Sequence, residues 1–480
     1  MNQAIRRTWL AVAGVFVLLL GSLTYVQFFG ADSLEASAWN SRRLYDEYGS
    51  ARGPILVGGQ EIASSQPSKD GFNYQRVYAD SETYSDVTGY FSLVYGATGI
   101  EQAMDQELSG DSDSQFYDRI SRIFSGQQAR GASVELTLDA NLQKLSTQLL
   151  QGHRGAIVAM EPKTGKILAM ASSPSYDANA LSSHDSKSTI AAYNELNGNP
   201  DKPLANRAIG GDLYAPGSTF KIIDAAAALE SGEYDKDSVI PNPQNLTLPD
   251  STTTLPNYVN GQCHTRSEAT IEWALAQSCN VPFAQIGMKL GQQRMQEAAE
   301  KFGYGQQLGI PQEVTSSTFP QNMNGSQLAM ASIGQYDVRT TPLQVAMMSS
   351  AIANDGVQMK PTLVSKVRSS SLSTLYDFKA QQLRRSTTAP VAQQIKEWMV
   401  NDVDDGIASG AKVPGVEVAG KTGTAETGQD GLNDAWFTGF APADDPQVAV
   451  AIVYEDVDAT TGAQLTSPGA QKIFEAVLDK

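Results

Sequence analysis

Ser218 and Lys221 stand three residues apart in YAPGSTFKIIDAAAALESG. On a helix that spacing places a hydroxyl and an amine on one face, a turn apart. Such a pair can serve as nucleophile and base if the lysine is neutral, which requires desolvation or a neighbouring cation. A base other than histidine is expected, since the chain has only His153, His184 and His264. The positive helix end would also favour an oxyanion at Ser218. Taken alone, a helix-capping serine beside a surface lysine is an equally good account. A second such spacing, Ser409 to Lys412, lies in GIASGAKVPG, where two glycines and a proline leave no helix to hold it.

Two more stretches carry compatible chemistry. In QSCN, Ser278 and Asn280 are alternate residues of a turn that follows a helix. An extended turn would present a proton-relaying hydroxyl and a carbonyl-holding amide to one side. The stretch VAGKTGTAETG places Lys421 on a strand as a candidate second cation, with Thr422 and Thr424 able to grip a carboxylate beside it. Gly423 would let a substrate backbone approach closely. The same tripeptide at Lys163-Thr164-Gly165 falls between GAIVAM and KILAMAS and reads as a hairpin turn.

In the order S-x-x-K, S-x-N, K-T-G, these elements resemble the signature of penicillin-binding proteins and serine β-lactamases. YAPGSTFK, IGQYDVRTTPLQVAMMSSAIANDG and GKTGTAE are similar to their transpeptidase domain over roughly 155–480. ARGPILVGGQEIA and YFSLVYGATGIE resemble the non-catalytic domain of class B members, in their short actinobacterial form. Val57-Gly58-Gly59 departs from the Asp-Arg-Asn-Gly turn of many relatives. The resemblance implies an α+β fold. It has an antiparallel sheet with helices on both faces, a helical subdomain, a mainly β pedestal of the dimerisation type and a membrane anchor.

The resemblance also implies roles. Ser218 would attack a D-Ala-D-Ala peptide bond of peptidoglycan with Lys221 as base, and Ser278 and Lys421 would relay protons. Asn280 would orient the acyl chain. The N–H groups of Ser218 and Thr424 would form an oxyanion hole, while Thr422 and Thr424 would hold the terminal carboxylate or that of a β-lactam. An acceptor amine would resolve the acyl-enzyme. A membrane glycan polymerase and division or elongation proteins are the implied partners. No cofactor, metal or nucleic acid is implied. D,D-carboxypeptidase, β-lactamase and non-catalytic septal scaffold are the rival readings.

The rest of the sequence supplies the frame. With 480 residues, 41% hydrophobic and 18% charged, the chain has material for a sizeable core. A net charge of −17 disfavours a nucleic-acid partner. The stretch from Trp9 to Phe29 (29 − 9 + 1 = 21 residues) has no charge and follows Arg6 and Arg7. At ~1.5 Å per residue it spans a hydrocarbon core of ~30 Å. The arginines place residues 1–8 inside and the remainder outside. A cleaved signal peptide, ending at Ala36-Ser37-Ala38, is the alternative. Composition then suggests a pedestal over 30–150 and a catalytic domain over 151–480. About 120 residues precede the catalytic domain, too few for a glycosyltransferase. Cys263 and Cys279 lie 279 − 263 = 16 positions apart. In an exported chain a disulfide between them is chemically reasonable; two buried thiols are the alternative.

Overall fold

The computed structural model describes residues 3–26, 48–115, 130–249, 251–258, 261–429 and 431–479. The Ala36–Ala38 cleavage motif and residues 27–29 of the expected span lie outside them. The charge-free stretch belongs to a longer helix, Gln3–Thr24, which starts six residues before Trp9 and takes in both arginines. It is apolar and long enough to cross a membrane, and none of its residues is buried among the described residues.

Catalytic parts are mounted on a five-stranded antiparallel sheet. Its order is Ala419–Glu426, Asn433–Ala441, Val448–Val457, Gly155–Met160 and Ile167–Ser173. The central strands are buried on both faces and accordingly read as unbroken apolar runs. One face packs on Ala140–Leu150 and the long C-terminal helix Ala459–Leu478. The other packs on Pro342–Ala353 and Ala389–Asp405, which join it to the helical subdomain. Ala140–Leu150, which precedes the boundary expected at residue 150, thus packs on the catalytic sheet. The C-terminal helix is far longer than IFEAVLDK suggests, because Gly462, Pro468 and Gly469 lie within it. Gly462 is needed there: a Cβ would come within 2.5 Å of the Ala435 side chain. Lys163-Thr164-Gly165 does occupy a turn, with Gly165 at φ 83°.

The pedestal sheet has six strands. Four are local: Ser133–Leu136, Ile55–Val57, Gln60–Pro67 and Tyr74–Tyr78. The other two, Val364–Arg368 and Thr374–Asp377, arrive from the far end of the sequence. The residues just before them stitch the two sheets together, with Thr362 N–H donating to Gly165 O and Thr137 N–H to Leu363 O. At the first hairpin Gly58 and Gly59 both adopt positive φ, so the departure from the relatives' turn makes a tight two-residue connection.

A buried charge cluster fixes the pedestal. Glu101, fully buried, receives Arg52 Nε and Arg76 Nε at 2.6 Å each and the Tyr78 hydroxyl at 3.1 Å. Burial alone would raise its carboxyl, but Arg76 and Arg52 outweigh burial and hold it below the usual range. This stabilisation is full above the unfolded carboxylate's pKa and is lost as pH falls through the depressed folded value. Replacing Glu101 with Ala takes the counter-charge from the buried Arg76 guanidinium and leaves Arg52 with Asp105 alone. It is expected to cost about 3 kcal/mol or more. Denaturant unfolding followed by pedestal tyrosine fluorescence measures it.

Candidate active site

Local rules place the nucleophile. Pro216 and Gly217 turn the chain into a short 3-10 segment, Gly217–Phe220, which runs directly into the helix Lys221–Ser231. Ser218 is half-buried and its hydroxyl has no hydrogen-bond partner among the described residues. Gly217 has φ 53°, and a Cβ there would stand 2.6 Å from Thr424 O. Gly423 is pressed in turn against Thr219 and Pro216 O, and Gly217 N–H donates to Gly334 O at 2.9 Å. Three glycines thus let the nucleophile turn, the Lys421 strand and the Gly334 loop touch backbone to backbone.

Lys221 has no exposed surface. Its Nζ lies 2.8 Å from Ser278 O and 2.8 Å from Asn280 Oδ1, with Ser278 Oγ farther off at 3.5 Å. Burial pushes the ammonium well below the ordinary lysine range, and the nearby Lys421 charge adds to the effect; Asp224 and Asp402 oppose it. A neutral amine has two hydrogens and one lone pair. The two close acceptors take both hydrogens, which leaves the lone pair as the proton acceptor for a hydroxyl.

The S-x-N turn differs from the extended one expected. Ser278 has φ 55°, in the left-handed region, and brings its carbonyl closer to Lys221 than its hydroxyl. Asn280 is not a turn residue but opens the helix Asn280–Leu290. Asn257, which the motifs do not reveal, holds that helix end: its Oδ1 accepts from both Asn280 N–H and Val281 N–H at 2.9 Å. Cys279 is disulfide-bonded to Cys263, with Cα atoms 5.6 Å apart. Closing that loop stabilises the turn by roughly 3 kcal/mol on a chain-entropy model.

Lys421 lies on its strand, wholly buried. Among the described residues no hydrogen bond or ion pair joins it to Ser278. It is paired instead with Asp402, also wholly buried, at 3.1 Å. Alternation along the strand puts Thr422 and Thr424 on the other face, where with Gly423 they line a cleft of about 90 Å³ beside Tyr258 and Trp436. Thr422 Oγ1 is buried there without a protein partner. The second serine–lysine spacing takes no part: Ser409 and Lys412 are exposed, and Lys412 bonds Asp404 O.

Comparison with known proteins gives the family. Residues 155–479 match the model of the penicillin binding protein transpeptidase domain, and 52–134 that of the penicillin binding protein A dimerisation domain. The chain belongs to the penicillin-binding protein transpeptidases. It is similar to the peptidoglycan D,D-transpeptidase PbpA of Mycolicibacterium smegmatis, 40% identical over 100% of this chain and 99% of the relative. Two solved structures of penicillin-binding protein A from M. tuberculosis, 38% identical, are also similar. The imipenem acyl-enzyme complex superposes with a TM-score of 0.86, covering 90% of this chain and 100% of that one. For the penicillin G acyl-enzyme complex the TM-score is 0.84, with 89% and 100% covered.

Within this penicillin-binding protein, Asp402 is a second site residue that motif reading passes over. It lies in the last turn of the helix Ala389–Asp405 and accepts Ala408 N–H at 3.0 Å. Its signal is a carboxylate on the same helix face as Ile395, Trp398 and Met399, where apolar residues belong. Burial raises its carboxyl to about 6 against the pull of Lys421. Above that pH the carboxylate holds Lys421; below it the counter-charge is lost. Acylation is therefore expected to fall as pH drops through about 6. Asp402→Asn should slow acylation at least about tenfold at neutral pH and remove that inflection. Stopped-flow acylation by a chromogenic cephalosporin across the pH range checks both.

Proposed function

We propose that this penicillin-binding protein is a serine D,D-transpeptidase that cross-links peptidoglycan stem peptides. The observation that carries the reading is the bonding of Lys221. A wholly buried amine gives both its hydrogens to Ser278 O and Asn280 Oδ1, one helical turn from the half-buried Ser218 hydroxyl. Lys221 takes the Ser218 proton as Oγ bonds the carbonyl carbon between the terminal D-alanines. The N–H groups of Ser218 and Thr424 hold the oxyanion. The carbon–nitrogen bond then breaks, and the departing D-alanine amine takes a proton relayed through Ser278 and Lys421. An amine of a neighbouring stem attacks the ester, returns the serine proton and completes the cross-link. Thr422 and Thr424 bind the donor's terminal carboxylate, and Asn280 aligns its acyl chain.

A wholly buried Lys421 beside Lys221 supports the role of second cation. Its pairing to Asp402 makes any relay through Ser278 dependent on movement of that lysine. The helix Gln3–Thr24, with Arg6 and Arg7 near its start, supports a single-pass anchor with the catalytic domain outside. A membrane glycan polymerase is the proposed partner, as the resemblance to class B members implies.

Benzylpenicillin should add its mass once, at Ser218, and Ser218→Ala should abolish the adduct in intact-protein mass spectrometry. An adduct at Ser409 would overturn the assignment, and one decaying within seconds would favour a β-lactamase. With a thioester donor and a D-amino acid acceptor, release of free acid alone would favour a carboxypeptidase. For topology, the N-terminus of protein taken from membranes should be at or near Met1; one just after Ala38 would indicate cleavage.

A further inference from the structure

Asp224 lies one turn beyond Lys221 on the same helix, has no exposed surface, and neither of its carboxyl oxygens has a hydrogen-bond partner among the described residues. The surroundings explain why. The helix Asn280–Leu290 presents Gly287, where a Cβ would stand 3.7 Å from Asp224 Oδ2 and collide with Ser332 Oγ. Ser332, on Gly325–Ser332, donates its hydroxyl to Leu328 O at 2.8 Å and so has no hydrogen left to offer. Few charges face the group. Lys221 is on its own helix, and Tyr234 follows that helix. From the strand and the helix beyond, Lys421 and Asp402 act on Lys221. Arg294 and Lys301, on the helix Gln292–Lys301, are engaged at the surface by Glu233 and Glu230.

We propose that Asp224 remains a neutral carboxylic acid in the resting enzyme, so that no carboxylate beside Lys221 holds that amine protonated. This rests on the assignment of Lys221 as the base. Between them the two groups share one proton. With the proton on Lys221 both are charged, and the carboxylate would be buried without a single hydrogen-bond donor from the protein, the costliest state for such a group. With the proton on Asp224 neither is charged, and the lysine hydrogens still satisfy Ser278 O and Asn280 Oδ1. Burial drives the Asp224 carboxyl well above its usual range, with Lys221 opposing, which agrees with that distribution.

The test is infrared difference spectroscopy of the full-length protein at neutral pH, wild type against Asp224→Asn, in water and in deuterium oxide. A carbonyl stretch of a protonated carboxylic acid is expected in the wild type, shifted by deuterium and missing from the variant. Its absence overturns the proposal. The second readout is the pH dependence of Ser218 acylation by a chromogenic cephalosporin. Since asparagine mimics the neutral acid, Asp224→Asn should keep the acid limb in place and the neutral-pH rate within about twofold. A limb moved down by about one pH unit would mean that a carboxylate had been holding Lys221 protonated, and the proposal fails. Asp224→Leu serves the same comparison if the asparagine variant does not fold. A band present while Lys221→Ala acylates at the wild-type rate would overturn the role given to Lys221, and the proposal with it; absence of the band leaves that role standing.

Discussion

Two lysine side chains without any exposed surface, held close enough to perturb one another, impose the strongest constraint in this protein. Water cannot screen them, so each needs an answer from the protein itself. The two answers differ. Lys421 is matched by a carboxylate at 3.1 Å and can remain charged, whereas Lys221 is met only by neutral acceptors. Burial lowers both ammonium groups, and the Asp402 carboxylate opposes that shift at Lys421. Much of the surrounding architecture maintains that asymmetry: the end of the Ala389–Asp405 helix, the disulfide-braced turn at Ser278, and the Asn257 cap on the helix behind it.

Backbone proximity is the second constraint. The nucleophile turn, the Lys421 strand and the Gly334 loop meet at distances that only hydrogen atoms fit, which is why glycines stand at Gly217, Gly334 and Gly423. The contacts leave little slack for relative movement. Ser218 is consequently registered against the strand residues Thr422 and Thr424 by the main chain, with side-chain packing playing the lesser part.

The sequence is legible where chemistry is local. Serine and lysine at a helical spacing, serine and asparagine two apart, and lysine leading a glycine-bearing strand locate Ser218, Lys221, Ser278, Asn280 and Lys421. Which copy of each motif matters follows from flanking glycines and prolines. The acids escape such reading because an aspartate in a helix normally faces water. Only the apolar periodicity around Asp402, and the alanine-rich stretch after Asp224, betray that these two face inward. The conformation of Ser278 is equally hidden, since its left-handed backbone is set by the neighbouring disulfide-linked turn and not by its own preference. Length of the last helix is misjudged for a different reason. Pro468 and two glycines oppose a helix locally, and burial of Ile473 and Phe474 against the sheet overrides them.

Strand order in the pedestal has a consequence for how the molecule comes into being. Ser133–Leu136 pairs on one side with Ile55–Val57 and on the other with Val364–Arg368, which in turn carries Thr374–Asp377. While the chain is being synthesised, the first four strands emerge long before the last two. An early pedestal therefore has an open edge along Ser133–Leu136, a template to which any extended segment can add. Closure must wait until residue 377 has left the ribosome, by which time most of the catalytic domain, including the nucleophile helix, has also emerged. The amino-terminal sheet is thus completed by two strands from the later part of the chain.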